Sequence, residues 1–344
     1  MLDIWQRLKE EKRPIFIYGT GNGADKLIDR LNELNIKISG IFASDGFVRE
    51  RFFRGFKVVS FREVKENYPN AIALLSFGTS RKDTLDYVKE ISKQVTLLMP
   101  EVPVCGNEIF DIEFAKKHKE KLEAVYNLLC DEKSKNTFYN LVMFKLTGEL
   151  DYLFNCESDE KKEFFELLNL NKTDNYLDLG AYNGDTVLDY INRLGGGKIV
   201  AVEPDGETFK KLVKNTENYA VTTINAAVTE KCGKVLFNGG SGRGSSIGIG
   251  EEIDAITVDA LSQNETFNYI KFDVEGAELQ GILGAEKTIK RDKPKMLISC
   301  YHKSEDYFTI PLKVLEFNPN YKLYIRHFPA LPAWDTYFYC LLQQ

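Results

Sequence analysis

The sequence is poor in several residue types, and each shortage excludes a class of protein. Six cysteines are spread over 344 residues without a C-x-x-C pair or any short regular spacing. This pattern argues against a zinc site and fits a reducing cytosol. No apolar run approaches the ~20 residues that a membrane helix needs, and the first residues lack the apolar core and cleavage site of a signal peptide. We therefore predict a cytoplasmic protein without a membrane segment.

A surplus of positive charge is also missing. The chain holds 45 lysines and arginines against 51 aspartates and glutamates, which gives a net charge of −6. Because binding to phosphate backbones depends on lysine and arginine, we do not expect nucleic acid as the principal partner. The hydrophobic content of 43% and the charged content of 28% are typical of a globular enzyme. The length predicts two domains.

The most informative segment, residues 176–186, is an apolar strand that runs through a glycine turn into a helix beginning at Asp185 or Thr186. The glycines let the backbone approach a ligand closely, and the helix start offers unpaired N–H groups. Acids in this turn would repel a pyrophosphate, but they attract the ammonium and sulfonium groups of S-adenosylmethionine. We therefore predict a methyl-donor site formed by Asp178, Gly180, Ala181, Asn183, Gly184, Asp185 and Thr186.

The strands that follow also end in polar residues suited to this ligand. The strand at 198–204 ends in Glu203 and Pro204, about 20 residues past the turn, the offset of an acid that holds ribose hydroxyls. The next strand ends in Asn225 and Ala226, an amide and a small residue for adenine. A fourth strand ends in Asp273. Ligands collect at such consecutive strand ends in an open α/β sheet.

Residues 269–278 place three carboxylates after a buried strand, and here the chain resembles the FkbM-type methyltransferases. Their hallmark, K-[IF]-D-V-E-G-A-E, corresponds to the segment from Lys271 to Glu278, and their T-[LV]-D element to residues 257–259. The resemblance covers roughly residues 174–342 and includes the glycine turn. It implies a Rossmann-like fold and S-adenosylmethionine-dependent methyl transfer, commonly to oxygen on sugars or secondary metabolites. It does not imply a particular acceptor.

Methyl transfer to a hydroxyl requires alignment of the reacting atoms and a base. Two of the three histidines, His302 and His327, follow apolar strands near the expected substrate edge. We favour His302 as the general base, with Asp273 orienting the acceptor or the base and His327 as the second candidate. Further acceptor-binding candidates are Glu275, Glu278, Ser245 and Ser246.

Other interpretations of these residues stay open. The carboxylates after residue 272 could cap a helix N-terminus, and the glycine-rich run at 239–248 could be a disordered loop or a mobile lid. A divalent cation could bind the carboxylates, because hard ions prefer oxygen ligands. Nothing in the sequence demands one, and we predict no metal site.

The first hundred residues alternate apolar runs with helix-periodic segments, which predicts βαβ units. Their glycine turn at Gly19, Gly21 and Gly23, with Asp45 as a ribose acid, is a candidate second nucleotide site or a purely structural turn. This half resembles Rossmann-like modules attached to some bacterial polysaccharide-modifying enzymes. Residues 108–169 show helical spacing and predict a helical connector.

The sequence thus predicts an α/β protein with an N-terminal Rossmann-like domain (1–106), a helical connector (107–169) and a methyltransferase domain (170–344). Strands near 176, 199, 222, 269, 296, 322 and 337 predict a seven-stranded sheet whose last two strands form an antiparallel hairpin. We expect methyl transfer to a hydroxyl of a sugar, polysaccharide precursor or related metabolite. The alternatives are an NAD-dependent oxidoreductase that uses the first glycine turn and a non-catalytic nucleotide-binding scaffold. A homo-oligomer is compatible with the sequence.

Overall fold

The computed structural model describes residues 2–48, 52–103, 105–106, 108–239, 246–248 and 250–342. The N-terminal half forms a sheet of order β3-β4-β2-β1-β5-β6, parallel except for the antiparallel pair β3–β4, with strands β1 (Ile15–Tyr18), β2 (Gly40–Ala43), β3 (Phe52–Phe53), β4 (Phe56–Ser60), β5 (Ile72–Leu75) and β6 (Thr96–Leu98). Its helices are α1 (Ile4–Glu10), α2 (Asn22–Glu33), α3 (Phe61–Asn67) and α4 (Lys82–Ser92).

The predicted βαβ pattern is present in this half. β1 and β5 are buried along their whole length, because helices cover both faces of a parallel sheet. Ser60 and Glu63 form a capping box at the start of α3, which satisfies two main-chain donors. The short hairpin of β3 and β4 was not predicted.

Helices occupy the stretch between the two sheets, as the helical spacing predicts. They are α5 (Ile112–Lys117), α6 (Lys119–Leu128), α7 (Glu132–Thr147), α8 (Asp151–Phe154) and α9 (Glu160–Glu163), followed by one π-helical segment (Phe164–Leu168). Arg326 of the second sheet pairs with Asp131 at 2.6 Å and with Glu163 at 2.9 Å. These ion pairs fasten the connector to the second sheet.

The C-terminal half contains the larger sheet and a small additional one. Its strands are β7 (Tyr176–Leu179), β8 (Ile199–Val202), β9 (Val221–Ile224), β10 (Ala227–Val228), β11 (Gly233–Asn238), β12 (Ser246–Ile247), β13 (Glu251–Ile256), β14 (Tyr269–Phe272), β15 (Lys295–Ser299), β16 (Lys322–His327) and β17 (Thr336–Leu341). Its helices are α10 (Asp185–Leu194), α11 (Gly206–Thr216), α12 (Val258–Leu261), α13 (Glu278–Leu283), α14 (Glu286–Arg291) and α15 (Asp306–Phe317).

The larger sheet has the order β16-β17-β15-β14-β7-β8-β9. Only β17 runs antiparallel to its neighbours, so the predicted seven-stranded sheet with its final hairpin is confirmed. β10, β13, β11 and β12 form a separate small sheet that the sequence did not predict. β11 and β13 are mostly exposed, so they lack the continuous apolar runs that mark the strands of the larger sheet.

The two halves pack on a common core. Phe42 of β2, Phe144 of α7 and Phe272 of β14 are each 0% exposed and belong to one cluster of buried side chains. Thr79 and Leu331 also exchange main-chain hydrogen bonds of 2.8 Å between the two sheets' connecting loops. The domain boundaries themselves stay a prediction. Among the described residues, no helix combines the length and hydrophobicity that a membrane crossing requires.

Candidate cofactor and active site

A cleft opens at the carboxyl ends of β7, β8 and β14. This is where polar ligands bind in open α/β sheets, because the parallel strands all end at this edge. The cleft is lined by Gly180, Tyr182, Asp185, Thr186, Glu203, Pro204, Asp205, Thr208, Ala227, Val228, Phe237, Lys271, Asp273, Val274, Glu275, Ala277, Tyr301, Asp335 and Tyr337. The glycine turn and the segment from Lys271 to Ala277, far apart in sequence, therefore face one space.

The glycines of the turn are required by its geometry. Gly180 has a φ of +80° and Gly184 a φ of +87°, in the left-handed region where a side chain is strained. A Cβ on Gly180 would overlap the main-chain oxygen of Asp273. The turn is therefore pressed against the loop that follows β14, and this contact brings the two sequence motifs together.

Glu203 lies at the cleft wall with its carboxylate held by the backbone. Its oxygens accept hydrogen bonds of 2.9 Å from the N–H groups of Tyr182 and Asp205. Burial raises the pKa of Glu203 to about 7, although these two N–H donors act in the opposite direction. Near neutral pH the group can therefore both accept from and donate to a hydroxyl.

Asn225 and Ala226 stand behind the cleft rather than in its lining. The Asn225 side chain donates to the main-chain oxygens of Glu203 and Pro204 at 2.8 and 3.0 Å. Its amide is thus engaged in holding the end of β8, and Ala226 is buried. The sequence predicts that Asn225 and Ala226 contact adenine, but neither residue lines the cleft. Its apolar wall is formed by Ala227, Val228 and Phe237.

Asp178 is fully buried and lies beneath the residues that line the cleft. One carboxylate oxygen accepts from the Thr186 hydroxyl. The other, Oδ1, lies 3.6 Å from Nζ of Lys271 and has no hydrogen-bond partner among the described residues. Asp178 therefore reaches a ligand only through Thr186 and Lys271. The remaining predicted turn residues shape the loop: Asn183 accepts from the N–H of Asp185, and Ala181 is buried.

Asp273 is surrounded by donors. Ser299 and Tyr301 donate to Oδ1 at 2.6 and 3.0 Å, and Tyr337 donates to Oδ2 at 3.4 Å. Burial alone would raise the pKa of Asp273, but Lys271, 3.3 Å from Oδ2, and these hydroxyls bring it below its ordinary value. Asp273 is therefore an ionised anchor for the hydroxyls of Ser299, Tyr301 and Tyr337, and its role in orienting the acceptor or the base stays a prediction.

His302 does not line the cleft. This position differs from the one expected of a general base. It is 1% exposed, with Nδ1 2.9 Å from Glu278, and with Nε2 3.4 Å from Glu275 and 3.9 Å from Asp273. Burial would lower the pKa of His302, but the three carboxylates raise it well above its ordinary value. The imidazolium form therefore predominates, and it has no lone pair with which to accept a proton.

This cluster also bears on the question of a metal. The ligand atoms of Asp273, Glu278 and His302 lie within 4.8 Å of one another. The His302 ring nitrogens lie 2.9 Å from Glu278 and 3.4 Å from Glu275, so a protonated ring places positive charge between these acids. In the structure the three residues form an ion-pair cluster, and the absence of a metal site stays a prediction.

His327 is not placed to act on a substrate in the cleft. It ends β16 and is 0% exposed, with Nδ1 3.0 Å from the Thr336 hydroxyl. Burial lowers the pKa of His327 to about 4, so the ring is neutral. It is a packed residue of the β16–β17 hairpin, which corrects its assignment as a second base.

The acceptor-binding candidates differ in their placement. Glu275 lines the cleft with a side chain that is 31% exposed, and its φ of +50° is unusual for a residue other than glycine. Glu278 is buried, accepts from the N–H groups of Val274 and Gly276, and thus stabilises the loop. Ser245 lies outside the described residues, and only the main chain of Ser246, in β12, is described.

The N-terminal glycine turn is explained largely by packing. A Cβ on Gly19 would lie 2.8 Å from the Ser76 hydroxyl, and one on Gly23 would overlap the Ser76 main-chain oxygen. Gly21, which precedes α2, faces open space. Asp45 accepts a hydrogen bond from the Arg62 N–H at 3.0 Å. The second nucleotide site stays a prediction, and the close contacts favour the structural interpretation for two of its three glycines.

Several lining residues were not recognised in the sequence, notably Lys271, Tyr301 and Tyr337. Lys271 is 6% exposed in the middle of the larger sheet. A lysine inside an otherwise apolar strand signals a buried counter-charge, because an unpaired buried ammonium is strongly unfavourable. That signal was present in the sequence. The tyrosines carried no comparable signal, since aromatic residues are common in strands.

Comparison with known proteins agrees with this geometry. The family model of the methyltransferase FkbM domain matches residues 178–321. Comparison with curated proteins gives no match. The crystal structure of methyltransferase FkbM from Methylobacillus flagellatus KT has a TM-score of 0.75 at 21% identity, covering 95% of this chain and 89% of that one. This likeness extends over both halves of the chain and shows the fold.

Two further solved structures are similar over about half of the chain. Aeropyrum pernix fibrillarin with natively bound S-adenosyl-L-methionine has a TM-score of 0.33 at 14% identity, covering 51% of this chain and 71% of that one. Precorrin-6y C5,15-methyltransferase from Geobacter metallireducens GS-15 has a TM-score of 0.33 at 13% identity, with coverages of 50% and 81%. Scores this low carry no argument about this chain. The family model thus identifies residues 178–321, which supply the cleft lining from Gly180 to Tyr301, as a methyltransferase FkbM domain.

Proposed function

We propose that this protein transfers a methyl group from S-adenosylmethionine to a hydroxyl of a sugar, polysaccharide precursor or related metabolite. The observation that carries the proposal is the contact between Gly180 and Asp273, which joins the glycine turn and the acidic loop of the FkbM domain in one cleft. The hydroxyl acceptor rests on the resemblance to the FkbM-type enzymes and on the hydrogen-bonding groups at one end of the cleft.

The donor end of the cleft suits an adenosyl group. Glu203 offers a carboxyl group that can bond to ribose hydroxyls, and Ala227, Val228 and Phe237 offer apolar contact for the adenine ring. Asp185, exposed at the start of α10, contributes negative charge near the turn. An acidic surface of this kind favours a cationic sulfonium over a pyrophosphate.

The acceptor end of the cleft contains Asp273, Glu275, Tyr301 and Tyr337. The donor supplies an electrophilic methyl group, and the residues must orient a hydroxyl towards it and take its proton. The two tyrosine hydroxyls are fixed on Asp273, and their lone pairs can accept from a substrate. Glu275 faces the cleft and takes the role of base in place of His302, which stays behind it as a cation.

Burial raises the pKa of Glu275, and His302 only partly offsets this effect. A carboxylate whose pKa is closer to neutrality is a better match for proton transfer at neutral pH. Asp273, in contrast, has a lowered pKa and is saturated with donors. The two acids thus have different roles, one as base and one as anchor.

Calorimetry with S-adenosylhomocysteine and with NAD tests the donor. We expect S-adenosylhomocysteine to bind, and Glu203→Ala to weaken it at least tenfold, about 1.4 kcal/mol. Glu207→Ala is the matched control, because Glu207 is exposed on the neighbouring α11 and pairs with Lys210. Binding of NAD alone favours the oxidoreductase, and binding of neither favours the scaffold. Labelled S-adenosylmethionine with a panel of sugars and UDP-sugars then identifies the acceptor.

A further inference from the structure

The lining of the cleft is acidic, whereas the methyl donor carries a carboxylate of its own. The carboxylates in the lining are those of Asp185, Glu203, Asp205, Asp273, Glu275 and Asp335. Among the described lining residues, Lys271 is the only lysine or arginine. An amino-acid tail that enters this cleft must place its carboxylate where repulsion from the acids is least.

Most main-chain N–H groups of the glycine turn are not free to bind that carboxylate. In many α/β proteins the first helical turn after such a loop binds anions. Here the donors already have partners within the chain. The N–H groups engaged in this way are those of Gly180, Ala181, Tyr182, Gly184, Asp185 and Thr186. The turn therefore offers an anion fewer free donors than its glycines suggest.

Lys271 has the position and the charge to bind the carboxylate instead. It pairs in register with Asp178 across β14 and β7, so its ammonium lies between the carboxylates of Asp178 and Asp273 at 3.6 and 3.3 Å. Both distances exceed the roughly 2.7–2.9 Å of a charge-assisted hydrogen bond. The ammonium is therefore held between the two acids without a short bond to either.

Lys271 is also protonated. Burial alone would lower the pKa of Lys271, but Asp178 and Asp273 raise it well above its ordinary value. The group is therefore an ammonium at neutral pH. A buried ammonium gains from an additional anionic partner, because the low surrounding dielectric strengthens the attraction.

We propose that Lys271 binds the α-carboxylate of S-adenosylmethionine and so selects donors that carry an amino-acid tail. This inference rests on the proposed function, because it assumes that the cleft binds the adenosyl donor. It assigns to Lys271 a contact with the cofactor in addition to its contacts within the sheet. Asp185, an exposed acid of the same lining, is placed for the ammonium of that tail, so the cleft offers charges of both signs to a zwitterion.

Calorimetry with two thioethers tests this contact. One is S-adenosylhomocysteine, and the other is S-(5′-deoxyadenosyl)-3-thiopropylamine, which lacks only the carboxylate. We expect the unmodified protein to bind the first at least tenfold more tightly, and Lys271→Met to reduce this ratio to about one. The ratio is measured on one protein at a time, so a general loss of affinity cancels. Lys210→Met, on the exposed surface of α11, should keep the ratio unchanged.

The outcomes separate this inference from the proposed function. If the unmodified protein binds neither thioether, the proposed function fails. If it binds both equally, or if Lys271→Met keeps the preference, only the role of Lys271 is overturned. Should Lys271→Met not fold, a crystal of the unmodified protein with S-adenosylhomocysteine decides. A carboxylate within about 3.2 Å of Nζ supports the contact, and a carboxylate bound elsewhere refutes it.

Discussion

Gly180 and Asp273 touch through their backbones: the space that a Cβ on Gly180 would need is occupied by the main-chain oxygen of Asp273. The contact explains why a residue without a side chain is needed at the end of β7. It also fixes the distance between the donor end and the acceptor end of the cleft. Any side chain at position 180 must push the loop after β14 outwards.

Gly180→Ala should therefore weaken both stability and donor binding. A left-handed φ for alanine costs on the order of 1–3 kcal/mol, and the overlap with Asp273 adds to that cost. Denaturant unfolding and calorimetry with S-adenosylhomocysteine measure the two effects. Gly206→Ala is the control, because Gly206 has no neighbour within 4 Å of its missing Cβ and no positive φ. Equal behaviour of the two variants would contradict the role assigned to Gly180.

Glu203 should make the stability of the unliganded protein depend on pH. Its pKa is raised to about 7 by burial, so the folded state binds more protons than the unfolded state between about pH 4.5 and 7. The free energy of unfolding should fall as the pH rises through this window. Glu203→Gln removes this contribution, so its stability relative to the unmodified protein should rise by on the order of 2 kcal/mol across the window. Urea titrations at several pH values measure the difference, and a constant difference would refute the raised pKa.

His302 should be doubly protonated at pH 7.5, because three carboxylates surround it and raise its pKa. Nitrogen-15 NMR of the labelled protein distinguishes an imidazolium from either neutral tautomer. The contribution of protonated His302 to the free energy of unfolding is fully present below the ordinary histidine pKa of about 6.5. It is lost only as the pH rises through the raised pKa of His302. His118, which is partly exposed and whose pKa is lowered by burial, provides an internal comparison. A neutral His302 ring at pH 7.5 would restore it as a candidate base.

Glu275→Gln should abolish most methyl transfer and preserve donor binding. A positioned general base contributes roughly 10²–10⁴-fold to the rate, and the amide keeps the size of the side chain. The rate is measured with the acceptor found in the screen, and the affinity for S-adenosylhomocysteine should change less than about twofold. Glu286→Gln, exposed on α14 and paired with Lys290, should leave both unchanged. Full activity in Glu275→Gln would exclude Glu275 as the base.

The positions of the main strands and of the glycine turn followed from local features of the sequence. Periodicity of apolar residues placed the seven strands of the larger sheet, and the glycines at 180 and 184 marked positions where the backbone needs a left-handed φ. The short strands of the small sheet escaped prediction. The exposure of β11 and β13 resembles that of a loop, and their antiparallel pairing with each other is what orders them.

The sequence by itself determined which chemical groups stand at the strand ends, because these groups follow directly from the order of residues along each strand. Only the tertiary structure decided which of them face the cleft and which have a raised or a lowered pKa. His302 became a cation and Asp178 became a buried support because residues distant in sequence surround them. A pKa depends on burial and on neighbouring charges, and neither exists until the two motifs pack together at Gly180 and Asp273.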